Sequence, residues 1–497
     1  MIRFLILLHR YLGIALAVVF VIWFASGFAI IYTGGMPALS QADRLNHLPD
    51  LNLEQLVITP FQAQQIAGVD SIPKLTSIMN RTAYQFPGRR SQVVFAEDGV
   101  LLNNSMISSR QIVSEFTDAA DNLIERIGTV EEVDQWTLTL RAELPLEKFS
   151  VNDGQGTEVY VSQRKGQVVL FTTSRDRLLA WLGAIPHWLY FVDLRKNAAL
   201  WNDVVVWLAS LGSILALIGV LLTFTQLRKT QPFSIVRAIP YKGIMRWHYL
   251  TGLCFGLVTL TWVFSGLLSM DPYSWNRSGG LLVDRSLLNG GDIGLSEFSN
   301  LTEESNLQLL ASTLQDRKIK EIEFRRLQGD YFFEITVLDS SSSWGFSNQL
   351  ISLENFQLHL NQFSSQYIVE QFADSFPAHN IVATDNINDY DNYYYSRESS
   401  RTASAPLPVL RLKFDDPMST WFYVALNSNE IVSQSNRLRR IERWLYNGLH
   451  SLDFRIWYQI RPLWDIVVLF LLSGGLLLVS IGVYIGVRRL YLSIRSH

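Results

Sequence analysis

The sequence predicts a membrane protein: a bundle of four membrane-spanning α-helices with two α+β domains in the long connections, built as an internal duplication. Three observations lead there. Four apolar stretches, at about 11–33, 199–225, 249–270 and 463–487, each reach the length of about 20 residues that a bilayer crossing needs. Two long connections, about 34–198 and 271–462, alternate apolar and polar residues between turn signals. Residues of the first half also recur in the second at fixed spacings. Apolar residues form 48% of the 497 and charged residues only 18%, which fits a membrane class better than a soluble one.

Taken in order, the elements are a first spanning helix within 1–33, an outer domain over 34–198 and a second helix over 199–225. A short loop at 226–247 leads to a third helix at 248–270, a second outer domain over 271–462, a fourth helix at 463–487 and a tail at 488–497. The first apolar run is too long for the core of a signal peptide, so it is read as a retained helix. The short loop carries Arg228, Lys229, Arg237, Lys242 and Arg246 without an acidic residue, and the tail adds Arg488, Arg489 and Arg495. Positive loops stay in the cytoplasm, so both termini are expected inside and both long connections outside. No basic cluster interleaved with aromatics is present, which argues against a nucleic-acid partner. Cys254 is the only cysteine, so neither an intrachain disulfide nor a cysteine-based metal site can form.

The duplication reads directly. At a spacing of 239, His9 meets His248, Gly13 meets Gly252, Trp23 meets Trp262, Ser26 meets Ser265 and Gly27 meets Gly266. At 263, Pro145 meets Pro408, Tyr160 meets Tyr423, His187 meets His450, Trp201 meets Trp464, and Gly212 and Gly219 meet Gly475 and Gly482. The 24-residue difference implies extra residues in the second half. They are expected in the polar, tyrosine-rich stretch 380–404, whose first-half counterpart looks missing. Within the connections, "TPFQAQQIA" suggests a helix, and "KLTSIMNRTAYQF", "SQVVFAEDGVLL" and "EVYVSQRKGQVVLF" suggest strands.

Four of the eight histidines fall in the matched pairs. His9 and His248 begin spans one and three at the inner surface; His187 and His450 precede spans two and four at the outer surface. At 100° per residue, Gly13 and Gly252 lie beside their histidines, four residues on. Gly27 and Gly266, eighteen on, return to the same face about 27 Å away. A side-chain-free patch there suits either a flat macrocycle or close helix packing. Zinc would need three or four ligands at one place, whereas haem iron is satisfied by two imidazoles. Two haems are therefore expected, the inner on His9 and His248, the outer on His187 and His450. Arg443 is a candidate propionate partner, as are Arg10 and Arg246, which equally serve as inside anchors. His47, His359, His379 and His497 lack counterparts and are expected at the surface.

The segments "HRYLG", "TEVYVSQRKGQVV", "RLLAWLGAIPHWLYF", "YDNYYYSR" and "RRIERWLYNGLHSLDF" resemble the PepSY-associated transmembrane family, over nearly the whole chain. The resemblance implies PepSY-like domains in the periplasm, a bacterial inner membrane, haem b, and transfer of electrons to ferric iron such as a ferric siderophore. The inner loop is too short for a nucleotide-binding domain, because a βαβ unit alone takes about 30 residues. An external donor, a quinol or a flavin protein, is therefore implied. Asp389, Asp391, Tyr393, Tyr394 and Tyr395 are candidate acceptor contacts, set behind the reading of this stretch as a flexible polar loop. Trp23, Trp262, Trp201 and Trp464 are candidates to assist transfer, but are read first as interfacial or packing residues. The competing reading is a non-enzymatic membrane protein whose PepSY domains bind a peptide, a partner protein or a regulatory ligand.

Overall fold

The computed structural model describes residues 2–88, 91–228, 238–272, 279–315, 317–342, 344–396, 405–454, 457 and 460–495. Lys229 and Arg237 of the short loop, residues 397–404 and His497 lie outside the described residues. The chain divides into two compact units. One comprises Met1–Met36, Asp176–Arg277 and Leu438–His497; the other comprises Pro37–Arg175 and Ser278–Arg437.

The helix unit contains four long helices, Ile2–Thr33, Ala198–Thr225, Ile244–Ser269 and Arg461–Arg495, all apolar enough to cross a membrane. The shortest has 26 residues, about 39 Å at 1.5 Å per residue, against a hydrocarbon core of about 30 Å. The fourth helix continues to Arg495, so Arg488 and Arg489 extend it rather than form a separate tail. The first helix packs against the second and fourth, and the third packs against the same two. The first and third are therefore diagonal in a four-helix bundle.

Helical spacing selects the inward face. Leu16, Phe20 and Phe24 recur every four residues and are buried, while Tyr11, Val18 and Ile22 stay exposed, as lipid-facing positions require. The phenylalanines need gaps opposite them. Gly212 lies against Phe20, Gly475 against Phe24 and Gly474 against Phe255. In a close-packed interior a side chain at those positions would occupy the same space as the ring.

Residues 176–198 and 438–460 were expected within the outer domains; they cluster instead with the long helices. They include the short helices Ala184–Trp188 and Leu449–Ser451.

The sheet unit departs from the expectation of two separate domains. Its largest sheet joins both halves, in the order β10–β9–β8–β1–β2–β3. The first half supplies β1 (Lys74–Ile78), β2 (Arg81–Phe86) and β3 (Gln92–Phe95). The second supplies β8 (Ile319–Leu327), β9 (Asp330–Leu338) and β10 (Phe346–Ser352). The seam is antiparallel, with Lys74 opposite Glu323 and Leu75 opposite Ile322. Each half alone would leave a hydrophobic edge strand with open backbone groups, and pairing the two edges removes both. Beside the seam, buried Glu321 accepts two hydrogen bonds from Arg44, at 2.8 and 2.6 Å, pairs with Lys74 at 2.7 Å, and accepts one from Thr76 at 3.2 Å. Burial alone would raise the Glu321 carboxyl, but Arg44 and Lys74 outweigh it and hold its pKa below the usual glutamate value.

Each half also has a four-stranded antiparallel sheet. In the first it is β4 (Ile124–Val130), β5 (Leu146–Val151), β6 (Thr157–Ser162) and β7 (Gln167–Thr172). In the second it is β11 (Ile381–Ile387), β12 (Val409–Phe414), β13 (Trp421–Ala425) and β14 (Glu430–Ser435). Helix Ser109–Thr117 covers the first with Ile112, Val113 and Phe116, and helix Ser365–Ser375 covers the second with Ile368 and Phe372.

The expected place of the extra residues needs correction. The spacing between halves has already reached 257 at β4 and β11, and becomes 263 at β5 and β12. Only six extra residues therefore lie in the β11–β12 connection. The β4–β5 connection of the first half carries a turn of the same kind. Asp134 accepts from the amides of Trp136 and Thr137, just as Asp391 accepts from those of Tyr393 and Tyr394. The rest of the difference accumulates before β11.

Candidate functional site

Two histidine pairs meet at two levels of the helix unit. His9 and His248, on the diagonal first and third helices, have ring centroids 6.4 Å apart with planes inclined by 43°. His187 and His450, on the two short helices, have centroids 6.1 Å apart and planes inclined by 68°. His187 contacts Trp23 and Ser26, which lie 14 and 17 residues beyond His9 on the first helix. At 1.5 Å per residue the two levels are about 21–26 Å apart along that helix.

The short helices are held in matching ways. Each ends two residues after its histidine in a left-handed leucine, Leu189 at φ 53° and Leu452 at φ 50°. That conformation costs a leucine about 1–2 kcal/mol and needs outside support. The Trp201 indole donates to the carbonyl of Trp188 at 2.9 Å, and the Trp464 indole to that of Ser451 at 3.0 Å. Each accepting carbonyl belongs to the residue directly after the histidine. These tryptophans, expected first to anchor or pack, tie each histidine segment to the long helix that follows it.

The hydrogen bonds of the rings assign their tautomers. His187 Nδ1 lies 3.2 Å from the Trp23 carbonyl and 3.1 Å from Ser26 Oγ. His450 Nδ1 lies 3.1 Å from the Trp262 carbonyl and 3.1 Å from Ser265 Oγ. His9 Nδ1 lies 3.2 Å from the Leu215 carbonyl. A carbonyl oxygen only accepts, so each of these Nδ1 atoms carries the proton, which leaves the lone pair on Nε2. The Leu478 backbone faces His248 as Leu215 faces His9, but without a well-formed hydrogen bond to Nδ1.

This donor set fits a metal held by two imidazoles. With metal–nitrogen bonds of about 2 Å, two imidazoles on opposite sides of one ion place their centroids about 6 Å apart. Metal-binding histidines characteristically donate the other ring N–H to an oxygen acceptor, which orients the ring. Among the described residues no group of three or more His, Cys, Asp or Glu side chains could hold a metal ion, so any such centre here relies on the imidazole pairs. The Trp262 indole N–H is also buried with no acceptor among the described residues, a donor available to a bound group.

The helix–sheet–helix order and the paired histidines lie within a match to the family model of the PepSY-associated TM region, which covers residues 6–489. The chain belongs to the PepSY-associated transmembrane family. No curated protein matches the chain.

The other expected residues of this PepSY-associated protein fall as follows. A Cβ on Gly266 would lie 3.7 Å from His450 Cε1, so this glycine borders the pair. Gly27 offers no open patch, since Leu472 of the fourth helix reaches within 2.9 Å of where its Cβ would be. Gly13 adjoins Leu215, and Gly252 adjoins Thr223 and Leu478. Arg443 is buried and donates to the Asp453 carbonyl at 2.6 Å, with the Asp453 carboxylate 3.7 Å away. Two glycines matter more to the rings than expected. A Cβ on Gly219 would lie 2.9 Å from His9 Cε1, and one on Gly482 would lie 3.5 Å from His248 Cε1. Their 263-residue spacing marks them in the sequence, but nothing local says that they face a histidine.

The tyrosine-rich connection is structural at its centre. Asp391 pairs with Arg411 at 2.5 Å, and Arg411 also binds Asp385 at 2.8 Å. Tyr394 is buried, stacks on Tyr423 at 4.9 Å and donates to the Pro406 carbonyl at 2.7 Å. These contacts commit Asp391 and Tyr394 to the sheet. Asp389 stays exposed. His359 packs between Phe332 and Phe363, at 5.1 and 4.7 Å, rather than standing free at the surface.

Proposed function

We propose that the protein is a haem b-containing membrane reductase that passes electrons to ferric iron, held as a ferric siderophore or another chelate. The observation that carries this reading is the pair of bis-imidazole sites at two levels of one apolar bundle. When bound, haem supplies a one-electron iron couple, and the protein contributes binding, orientation and electrostatics. His9 and His248 hold one group; His187 and His450 hold the other. Leu215, Trp23 and Trp262 fix ring orientation through their carbonyls, and Trp201 and Trp464 hold the segments that carry His187 and His450. The Trp262 indole and the Arg443 guanidinium are donors for the carboxylates of a bound macrocycle. The apolar faces of the four helices keep water from the interval between the two levels.

The same reading sets the protein in the bacterial inner membrane with both termini cytoplasmic. Each long connection follows one crossing and precedes the next, so both lie on the periplasmic side, as PepSY-like segments of a duplicated unit. The recurrence of the 263-residue spacing in the left-handed Leu189 and Leu452 and in the indole contacts of Trp201 and Trp464 supports the duplication. With a short loop between the second and third helices, the electron donor is a separate quinol or flavin protein.

Purified full-length protein, produced with ample haem, should show a reducible b-type spectrum with about two haems per chain. His9→Ala and His187→Ala should each remove a different haem. The reduced protein should reoxidise with ferric siderophores and yield trappable ferrous iron. Colourless protein would refute the haem assignment and favour the ligand-binding alternative. Reoxidation by other oxidants but by no ferric chelate would refute the iron assignment alone.

A further inference from the structure

The two histidine pairs differ in what surrounds Nδ1. At His187 and His450 each ring faces a backbone carbonyl and a serine hydroxyl, at 3.1–3.2 Å. At His9 and His248 a single carbonyl among the described residues, that of Leu215, makes a well-formed contact. The serines are fully enclosed, Ser26 at 2% exposure and Ser265 at 0%. Their hydroxyl protons are directed to their own helices, Ser26 to the Ile22 carbonyl at 2.7 Å and Ser265 to the Trp262 carbonyl at 3.0 Å. A hydroxyl has one proton and two lone pairs, so with the proton committed the oxygen presents a lone pair to the ring. The same arrangement occurs in both halves, on serines one residue before Gly27 and Gly266.

We infer that Ser26 and Ser265 are positioning residues that lower the reduction potential of iron bound at His187 and His450. This rests on the haem reading of that site. An acceptor on Nδ1–H draws the proton away from the ring and makes Nε2 a stronger donor, and such outer partners tune a metal's basicity and potential. A stronger donor favours ferric over ferrous iron. The serines also hold the rings in one tautomer and one orientation. Iron at His9 and His248, with fewer acceptors behind its ligands, has the higher potential as far as this effect goes. The two sites are thus electronically unequal, and the more reducing one is the His187–His450 site.

The test is a spectroscopic redox titration of the purified full-length chain. Ser26→Ala with Ser265→Ala should raise the midpoint of one haem and leave the other unchanged, with two haems still bound. Each single variant should shift the same haem by less. Ser26→Thr with Ser265→Thr, which keeps both hydroxyls, should restore the wild-type midpoint. In a His9→Ala background the surviving haem should be the one that shifts. If wild-type protein binds no haem, the site reading itself fails. If haem binds fully and neither the single nor the double alanine variants move a midpoint, the serine inference is overturned while the site stands. A shift of the other haem, or of both equally, overturns it as well.

Discussion

Replacing Gly219 with alanine places a methyl group 2.9 Å from Cε1 of His9. Carbon atoms prefer about 3.5–4.0 Å, so the imidazole must retreat by at least about 0.6 Å. A histidine with no ligand can do so by a small side-chain rotation. The alanine even favours the helix by about 1 kcal/mol over glycine, so thermal stability should hold or rise. A histidine bound to metal cannot retreat so far, because ligand distances tolerate only about 0.2 Å. Disturbing the shell behind a metal ligand typically costs about 10–100-fold in affinity, and that loss is expected for haem at His9 and His248. Gly482→Ala is the internal control. Its methyl would lie 3.5 Å from His248 Cε1, an ordinary contact, so haem retention should be close to wild type. The assay is transfer of haem from each purified variant to a competing apo-haem protein, followed by absorbance, with thermal unfolding alongside. Unchanged retention in Gly219→Ala, or equal loss in both variants, would refute the argument that His9 is a ligand held at this distance.

Arg44→Ala should expose the cost of an under-compensated buried carboxylate at Glu321. Lys74 remains, so the lower end of the usual range applies, about 3 kcal/mol, or roughly a hundredfold faster hydrogen exchange at the β1–β8 seam. The same seam should be pH-sensitive. Glu321 titrates below the usual glutamate value in the folded chain, so its stabilisation is complete above about pH 4.3 and is lost as pH falls through the lowered folded value. Exchange corrected for intrinsic rates should be flat at neutral pH and accelerate only in acid, and Glu321→Gln should abolish that acid dependence. Arg411→Ala removes the shared partner of Asp385 and Asp391; at about 1.5–3 kcal/mol for charged hydrogen bonds, exchange in 388–396 should rise tenfold or more, measurable by mass spectrometry. Gly475→Ala should collide with the Phe24 ring and destabilise the bundle by about 1–3 kcal/mol in thermal unfolding, and Phe24→Leu should relieve the collision.

What the sequence determined by itself follows from local physics. Four apolar runs announce membrane-spanning helices because a bilayer demands about 20 consecutive apolar residues, and that demand is written in one stretch of chain. Strand alternation is equally local, and β6 and β7 fall where turn signals bound apolar alternation. The histidines stood out because the spacings of 239 and 263 repeat, and repetition needs no folding to be seen. Tertiary structure decided everything that depends on which faces meet. The β1–β8 seam pairs residues about 250 positions apart, and neither strand carries a mark naming its partner. The assignment of 176–198 and 438–460 to the helix unit followed from packing, because their mixed composition suits either unit. At the site, serine and glycine are ordinary residues in an apolar helix. Only the crossing of helices brings Ser26 to His187, Ser265 to His450 and Gly219 to His9. Such contacts arise from side chains projecting from separate elements into a shared space, and a one-dimensional pattern records the projection of each element but not the space they enclose.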